Sequence, residues 1–291
     1  MKYRGRLVTV TCVLGVIAVA CTAPDGGDPE AADQLDAPPI EAAVGGADVV
    51  VTDNLLDEIK DRGELIVGMS LQFEPQMYRD DDDQPAGFDV ELLNMLADDL
   101  EVELTIMDQE FDSLIPGLLA GQVDMVSTGL VGLPARLEQL WFTCPYVAYR
   151  QVALTHENSG LTSADDMNDP DVRITALIGS TSANLVESRF PDAELVELEQ
   201  QPAFLEVASE RADAIVVEEW QASRFVEEHP NTFILNPDDP FDQLFGAWAI
   251  PRGEIVWQQY LNGWLRHHIG RGTVDDLYAE VVGPTGGLPF C

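Results

Sequence analysis

The chain has 291 residues and carries 52 acidic against 15 basic side chains, a net charge of -37. Phosphate contacts need basic patches, so this balance argues against a nucleic-acid partner, and an anionic membrane surface repels the protein body. The charge keeps the chain soluble, and an acidic surface whose only lysines are Lys2 and Lys60 suits a salty medium.

Lys2, Arg4 and Arg6 precede an apolar run over 7–20, 14 residues long where a membrane span needs about 20. It reads as the hydrophobic region of a secretory signal occupying 1–20. Ala18-Val19-Ala20-Cys21 is similar to a bacterial lipobox, which makes Cys21 the acylated residue and the cell membrane its anchor. Ala18 stands where Leu is commoner, and an ordinary secretory signal is the alternative; both export the chain. Residues 21–52, rich in Ala, Pro, Gly and Asp, read as a disordered tether. Beyond it the pattern predicts strands over 65–68, 102–107 and 123–126, with helices over 90–100 and 114–119. A second block repeats the alternation, with strands over 151–154, 172–178, 195–198, 214–217 and 245–250. Its helices fall over 183–189, 203–208, 220–226, 255–268 and 274–281. Such β-α alternation predicts an α/β fold with largely parallel sheets, and the length suggests two lobes.

Some motifs fail. Asp80 to Asp83 begin like a calcium loop with Glu91 at its twelfth position, but Pro85 occupies the glycine position, so a solvated hairpin tip is expected. The four histidines lack metal-ligand spacing, and neither a nucleophile elbow nor a phosphate loop occurs. No metal, cofactor or catalytic residue is expected.

Several patterns in order resemble the family 3 extracellular solute-binding proteins, the amino-acid receptors of ABC importers. They are Gly87-Phe88-Asp89-Val90-Glu91; Phe111 to Leu118 running into Gly121-Gln122-Val123-Asp124; Arg136 followed by Phe142-Thr143-Cys144-Pro145-Tyr146; Gly179-Ser180-Thr181-Ser182; and Arg211-Ala212-Asp213 leading to Glu218. The resemblance implies a periplasmic-binding-protein type II fold: two α/β lobes joined by a two-strand hinge, closing on a ligand. Lobe 1 is then 53–147 plus 246–291 and lobe 2 is 148–245, with crossings near Tyr146 and Gly246. It implies a monomer, a small zwitterionic ligand (an amino acid or a compatible solute such as ectoine) and an importer permease as partners.

An amino acid presents a carboxylate and an ammonium on one carbon, and a dry cleft must match both. Arg136 suits the carboxylate through its planar pair of donors. Thr128 and Gly129, at a strand end, and Thr181, where a strand enters a helix, are candidates for the same group. The resemblance assigns the ammonium to Glu218, with Glu219 as the competitor; Glu departs from the commoner Asp. Phe73 and Phe111 match positions that sandwich the ligand side chain, and Leu177 adds to an apolar wall. Ser70 stands where receptors for basic amino acids are acidic, so an uncharged ligand side chain is expected unless Glu74, Gln76 or Glu219 reaches the cleft. Val131 departs from a commoner hydroxyl. Cys144 and Cys291 are the cysteines left once the signal and Cys21 are set aside, and either a disulfide or a buried Cys144 fits them. Two other functions compete with transport: a sensor acting through a partner, and a cyclohexadienyl-dehydratase-like enzyme.

Overall fold

A computed structural model describes residues 54–283. The expected signal over 1–20, the tether over 21–52, the lipidation site Cys21 and Cys291 lie outside the described residues. Helix α1 (Leu55–Arg62) starts where the Asn54 side chain accepts from the Asp57 N–H and stops at Gly63, whose φ of 73° closes it. Strand β1 (Glu64–Met69) leads into a meander of β2 (Gln72–Phe73), β3 (Met77–Arg79) and β4 (Pro85–Ala86), with the Asp80–Asp83 run at the exposed hairpin tip. The first half continues through α2 (Phe88–Leu100), β5 (Glu103–Asp108), α3 (Leu114–Leu119), β6 (Met125–Val131) and α4 (Pro134–Leu137). Strand β7 (Leu140–His156), 17 residues long, carries the chain across. The second half holds β8 (Arg173–Leu177), α5 (Thr181–Arg189), β9 (Glu194–Leu198), α6 (Gln200–Ala208), β10 (Ala214–Glu218), α7 (Glu219–Glu228) and β11 (Thr232–Ile234). Strand β12 (Asp242–Pro251) returns to α8 (Ile255–Gly270) and α9 (Thr273–Val281). Among the described residues no helix is long and apolar enough to cross a membrane.

The strands line up as β5-β1-β6-β12-β7-β10-β8-β9, with β11 on the flank of β7. β1 runs parallel to β5 and β6, and β8 runs parallel to β9 and β10, so each half is a parallel βα unit. The antiparallel pair β7 and β12 joins the two halves. This is the two-lobed α/β arrangement with a two-strand hinge that the sequence predicts. The strand pairing slips between Gly246 and Ala247, opposite Val147 and Pro145, so the ladder is irregular at the crossover. β12 also lies close on β6: a Cβ on Gly246 would sit 2.5 Å from the Gly129 carbonyl oxygen.

Period-2 alternation explains why the second half reads as apolar runs. Val152, Leu154, Ile215 and Val217 pack on one face with Ala203 and Phe204 of α6, while Ala153, Ala214 and Val216 pack on the other with Val186 of α5. Both faces are covered, so no solvent-facing residues interrupt the strands. The first half holds the larger core, with Phe88, Leu92, Leu93 and Leu96 of α2 packed beside Tyr146, Trp248, Trp257 and Leu265.

Candidate functional site

In parallel βα units the strand C-termini and following helix N-termini share one edge. Here that edge from each half faces a narrow cavity of about 50 Å³. From the first half come Phe73, Phe111, Thr128, Gly129, Val131 and Arg136; from the second come Leu177, Thr181 and Glu218. Of the sequence candidates for the ligand site, Ser70 does not line it. Ser70 is buried, and its Oγ accepts from Gln72 Nε2 at 2.8 Å. The same Gln72 amide reaches Glu199 Oε2 at 3.1 Å, and the Gln200 N–H donates to Gln72 Oε1 at 3.2 Å. Gln72 thus straps the two halves together beside the cavity.

Arg136 sits on the single turn α4, which opens with Pro134. The residue is 9% exposed, and its guanidinium donates from Nη1 to the Val131 carbonyl (3.0 Å) and from Nη2 to the Gly179 carbonyl of the opposite half (2.9 Å). Among the described residues it forms no ion pair, and burial depresses its pKa to about 10. Glu218 caps α7 at the end of β10, its Oε2 accepting from Gln221 Nε2 at 2.9 Å. Burial raises its pKa above the usual carboxylate value. Glu219 points elsewhere, paired with Arg150 at 3.0 Å, and Glu74 pairs with Arg224 at 2.7 Å; neither lines the cavity. Arg136 and Glu218 are therefore the one cation and the one carboxylate of the lining.

Thr181 is the first residue of α5, but the cap is Ser180, whose Oγ accepts from the Ala183 N–H at 3.2 Å. The Thr181 hydroxyl accepts from Gln151 Nε2 at 3.1 Å. Gly129 was expected to admit a ligand closely, yet its missing side chain makes room for Tyr149: a Cβ there would lie 1.6 Å from the phenol oxygen, at a φ of +59°. Phe73 and Phe111 meet edge to face at 6.2 Å between centroids.

Gln76, Tyr149, Gln200, Trp220 and Gln221 also line the cavity. Gln76 and Tyr149 belong to a buried network that the Gly87-Phe88-Asp89 motif builds. Gln76 Nε2 donates to Tyr149 Oη at 2.7 Å and to Asp89 Oδ2 at 2.8 Å. Ser127 Oγ donates to Asp89 Oδ1 at 2.6 Å, Tyr146 donates to the same oxygen, and Trp248 Nε1 donates to Ser127 Oγ at 2.9 Å. Burial drives the Asp89 pKa up to about 6, against the lowering effect of its hydrogen bonds. Tyr146 and Trp248 lie on the hinge strands, so this network ties the cavity wall to the crossover. Cys144, just before Tyr146, is disulfide-bonded; its expected partner Cys291 lies outside the described residues.

Residues 65–284 match the model of the bacterial extracellular solute-binding proteins, family 3. The chain is 24% identical over 227 residues to a cyclohexadienyl dehydratase from Pseudomonas aeruginosa, covering 77% of this chain and 84% of that one. It is 28% identical over 202 residues to the arginine-binding extracellular protein ArtP of Bacillus subtilis, covering 68% and 78%. Among solved structures, an ancestral amino-acid-binding protein, described as a precursor of cyclohexadienyl dehydratase, superposes with a TM-score of 0.72. That likeness is at 30% identity and covers 79% of this chain and 100% of the other.

Proposed function

This chain belongs to the bacterial extracellular solute-binding proteins, family 3, and on that premise we propose that it captures an amino acid or related zwitterion between its lobes and delivers it to the permease of an ABC importer. The observation that carries this reading is Arg136: a buried guanidinium, without a carboxylate partner among the described residues, in the same cavity as Glu218. A buried charge without a partner is costly, and a ligand carboxylate removes that cost. Arg136 with Thr128 and Thr181 holds the carboxylate, Glu218 holds the ammonium, and Phe73, Phe111 and Leu177 cover the side chain. The family works outside the cytoplasm; lipid on Cys21 fixes this member to the membrane. The division into 53–147 plus 246–291 and 148–245, and a Cys144–Cys291 disulfide, belong to the same proposal.

A thermal-shift screen of amino acids and osmolytes tests it, since a ligand at a hundred times its Kd stabilises the native state by about 2.7 kcal/mol. No shift with any zwitterion would overturn the reading.

A second reading is favoured by the likeness to the dehydratase and by the raised pKa of Glu218, which suits a proton donor. Most of the similar relatives are named as binding proteins, which is why binding ranks first. Incubation with prephenate or arogenate separates the two: aromatic product above background establishes the enzyme.

A further inference from the structure

The cavity wall contains buried polar groups without partners among the described residues, and of these the zwitterion's carboxylate accounts for Thr128 alone. Thr128 Oγ1, Gln200 Nε2 and Trp220 Nε1 are buried, belong to cavity-lining residues and meet no hydrogen-bond partner among the described residues. Gln200 is 2% exposed and Thr128 7%. An indole N–H only donates, and an unmatched buried donor is costly until something accepts from it.

Gln200 and Trp220 lie on other elements than the groups of the carboxylate end. That end is marked by Arg136, which bonds the Gly179 carbonyl just ahead of α5. Gln200 opens α6, and its N–H is held by Gln72, the neighbour of Phe73, so it belongs with the aromatic wall. Trp220 lies on α7 beyond Glu218 and also borders an adjoining hollow with Pro75 and Arg150.

This surplus of donors discriminates among ligand side chains. A cationic side chain offers only donors and finds no second carboxylate in the lining, because Glu218 is engaged; of Glu74, Gln76 and Glu219 only Gln76 reaches the cavity, and it is neutral, its amide nitrogen held by Asp89 and Tyr149. An anionic side chain offers acceptors but finds no cation beyond Arg136. A purely apolar side chain leaves Trp220 and Gln200 unmatched. We propose that Trp220 and Gln200 read an oxygen acceptor in the ligand's side chain, so that the ligand is an uncharged amino acid bearing a carboxamide or hydroxyl. The inference rests on the zwitterion reading above and adds to it the class of side chain.

Calorimetry on the mature protein tests it with glutamine, asparagine, serine and threonine against leucine, methionine, arginine and lysine. The best acceptor-bearing amino acid is expected to bind at least tenfold tighter than the best of the others. Trp220→Phe keeps a ring and removes the N–H, and Gln200→Met keeps the length and removes the amide. In either variant the advantage of the best acceptor-bearing ligand over leucine should fall at least fivefold. Tightest binding of leucine, arginine or lysine overturns the inference, as does an equal loss for both ligand classes in both variants. Absence of binding across this panel, or binding without preference, overturns the inference alone; absence of binding here together with no shift in the wider screen of zwitterions overturns both. Should one variant fail to fold, the other and the wild-type ranking still decide.

Discussion

The two walls of the cavity are built from different materials. The second lobe presents successive helix N-termini: Thr181 opens α5, Gln200 opens α6, and Glu218 caps α7. The first lobe presents the end of β6, two aromatic rings and a single turn carrying Arg136, backed by the Asp89 network that reaches the hinge. Their charges are opposite and differently satisfied. Asp89 accepts from Gln76, Ser127 and Tyr146. Arg136 meets only carbonyls, and the Glu218 carboxylate meets the Gln221 amide and its own backbone N–H. The buried carboxylate that serves the fold is matched on both oxygens, whereas the guanidinium facing the cavity has no carboxylate partner among the described residues.

Removing Arg136 should break this contrast most severely. Truncating one member of a desolvated charge pair costs about 2–5 kcal/mol, so Arg136→Ala should weaken ligand binding at least about thirtyfold by calorimetry. The ligand-free melting temperature should hold or rise, because an unpaired buried charge has gone. A drop in both would make Arg136 a structural residue.

Asp89 sharpens the contrast from the other side. A carboxyl raised to about 6 in the fold stabilises the protein at low pH and loses that contribution as pH rises from its unfolded value of 3.8 through 6. Between pH 4.5 and 7.5 the loss is on the order of 2 kcal/mol. Urea unfolding should show Asp89→Asn gaining about that much relative to wild type over the interval. A difference independent of pH would contradict the assignment.

Glu218 should have the opposite signature. It holds an ammonium only when ionised, so affinity should fall as acid protonates it, beginning above the usual carboxylate range. Glu218→Gln should bind about tenfold more weakly at neutral pH and lose this pH dependence. Thr181→Val should have the smallest effect, about fivefold in Kd, for one hydroxyl that also holds Gln151.

The sequence made much of this legible where chemistry was local. Arg136 among apolar runs, Glu218 at a strand end and the β-α alternation all follow from short patterns. The length of β7 did not, because a strand is legible only over 151–154; Pro145 lies where the ladder is already irregular, and its missing N–H costs little there. Ser70 was assigned from its place in the chain, but its hydroxyl is taken by Gln72. Gln200 and Trp220 look in sequence like ordinary residues near helix starts. Only tertiary packing buries them against a cavity and leaves their donors unmatched. Tyr149 was invisible for a related reason, since it fills the space that Gly129 vacates on another strand.

The central claim is that the two lobes each hold one charge of a zwitterion. The most direct measurement is a cycle by calorimetry: the tightest-binding amino acid and its α-carboxamide, each titrated into wild type and Arg136→Ala. The account predicts that the amino acid loses at least about thirtyfold on mutation, while the carboxamide, already weak, binds both proteins within about threefold. Equal losses for the two ligands would show that Arg136 does not hold the carboxylate and would contradict the account.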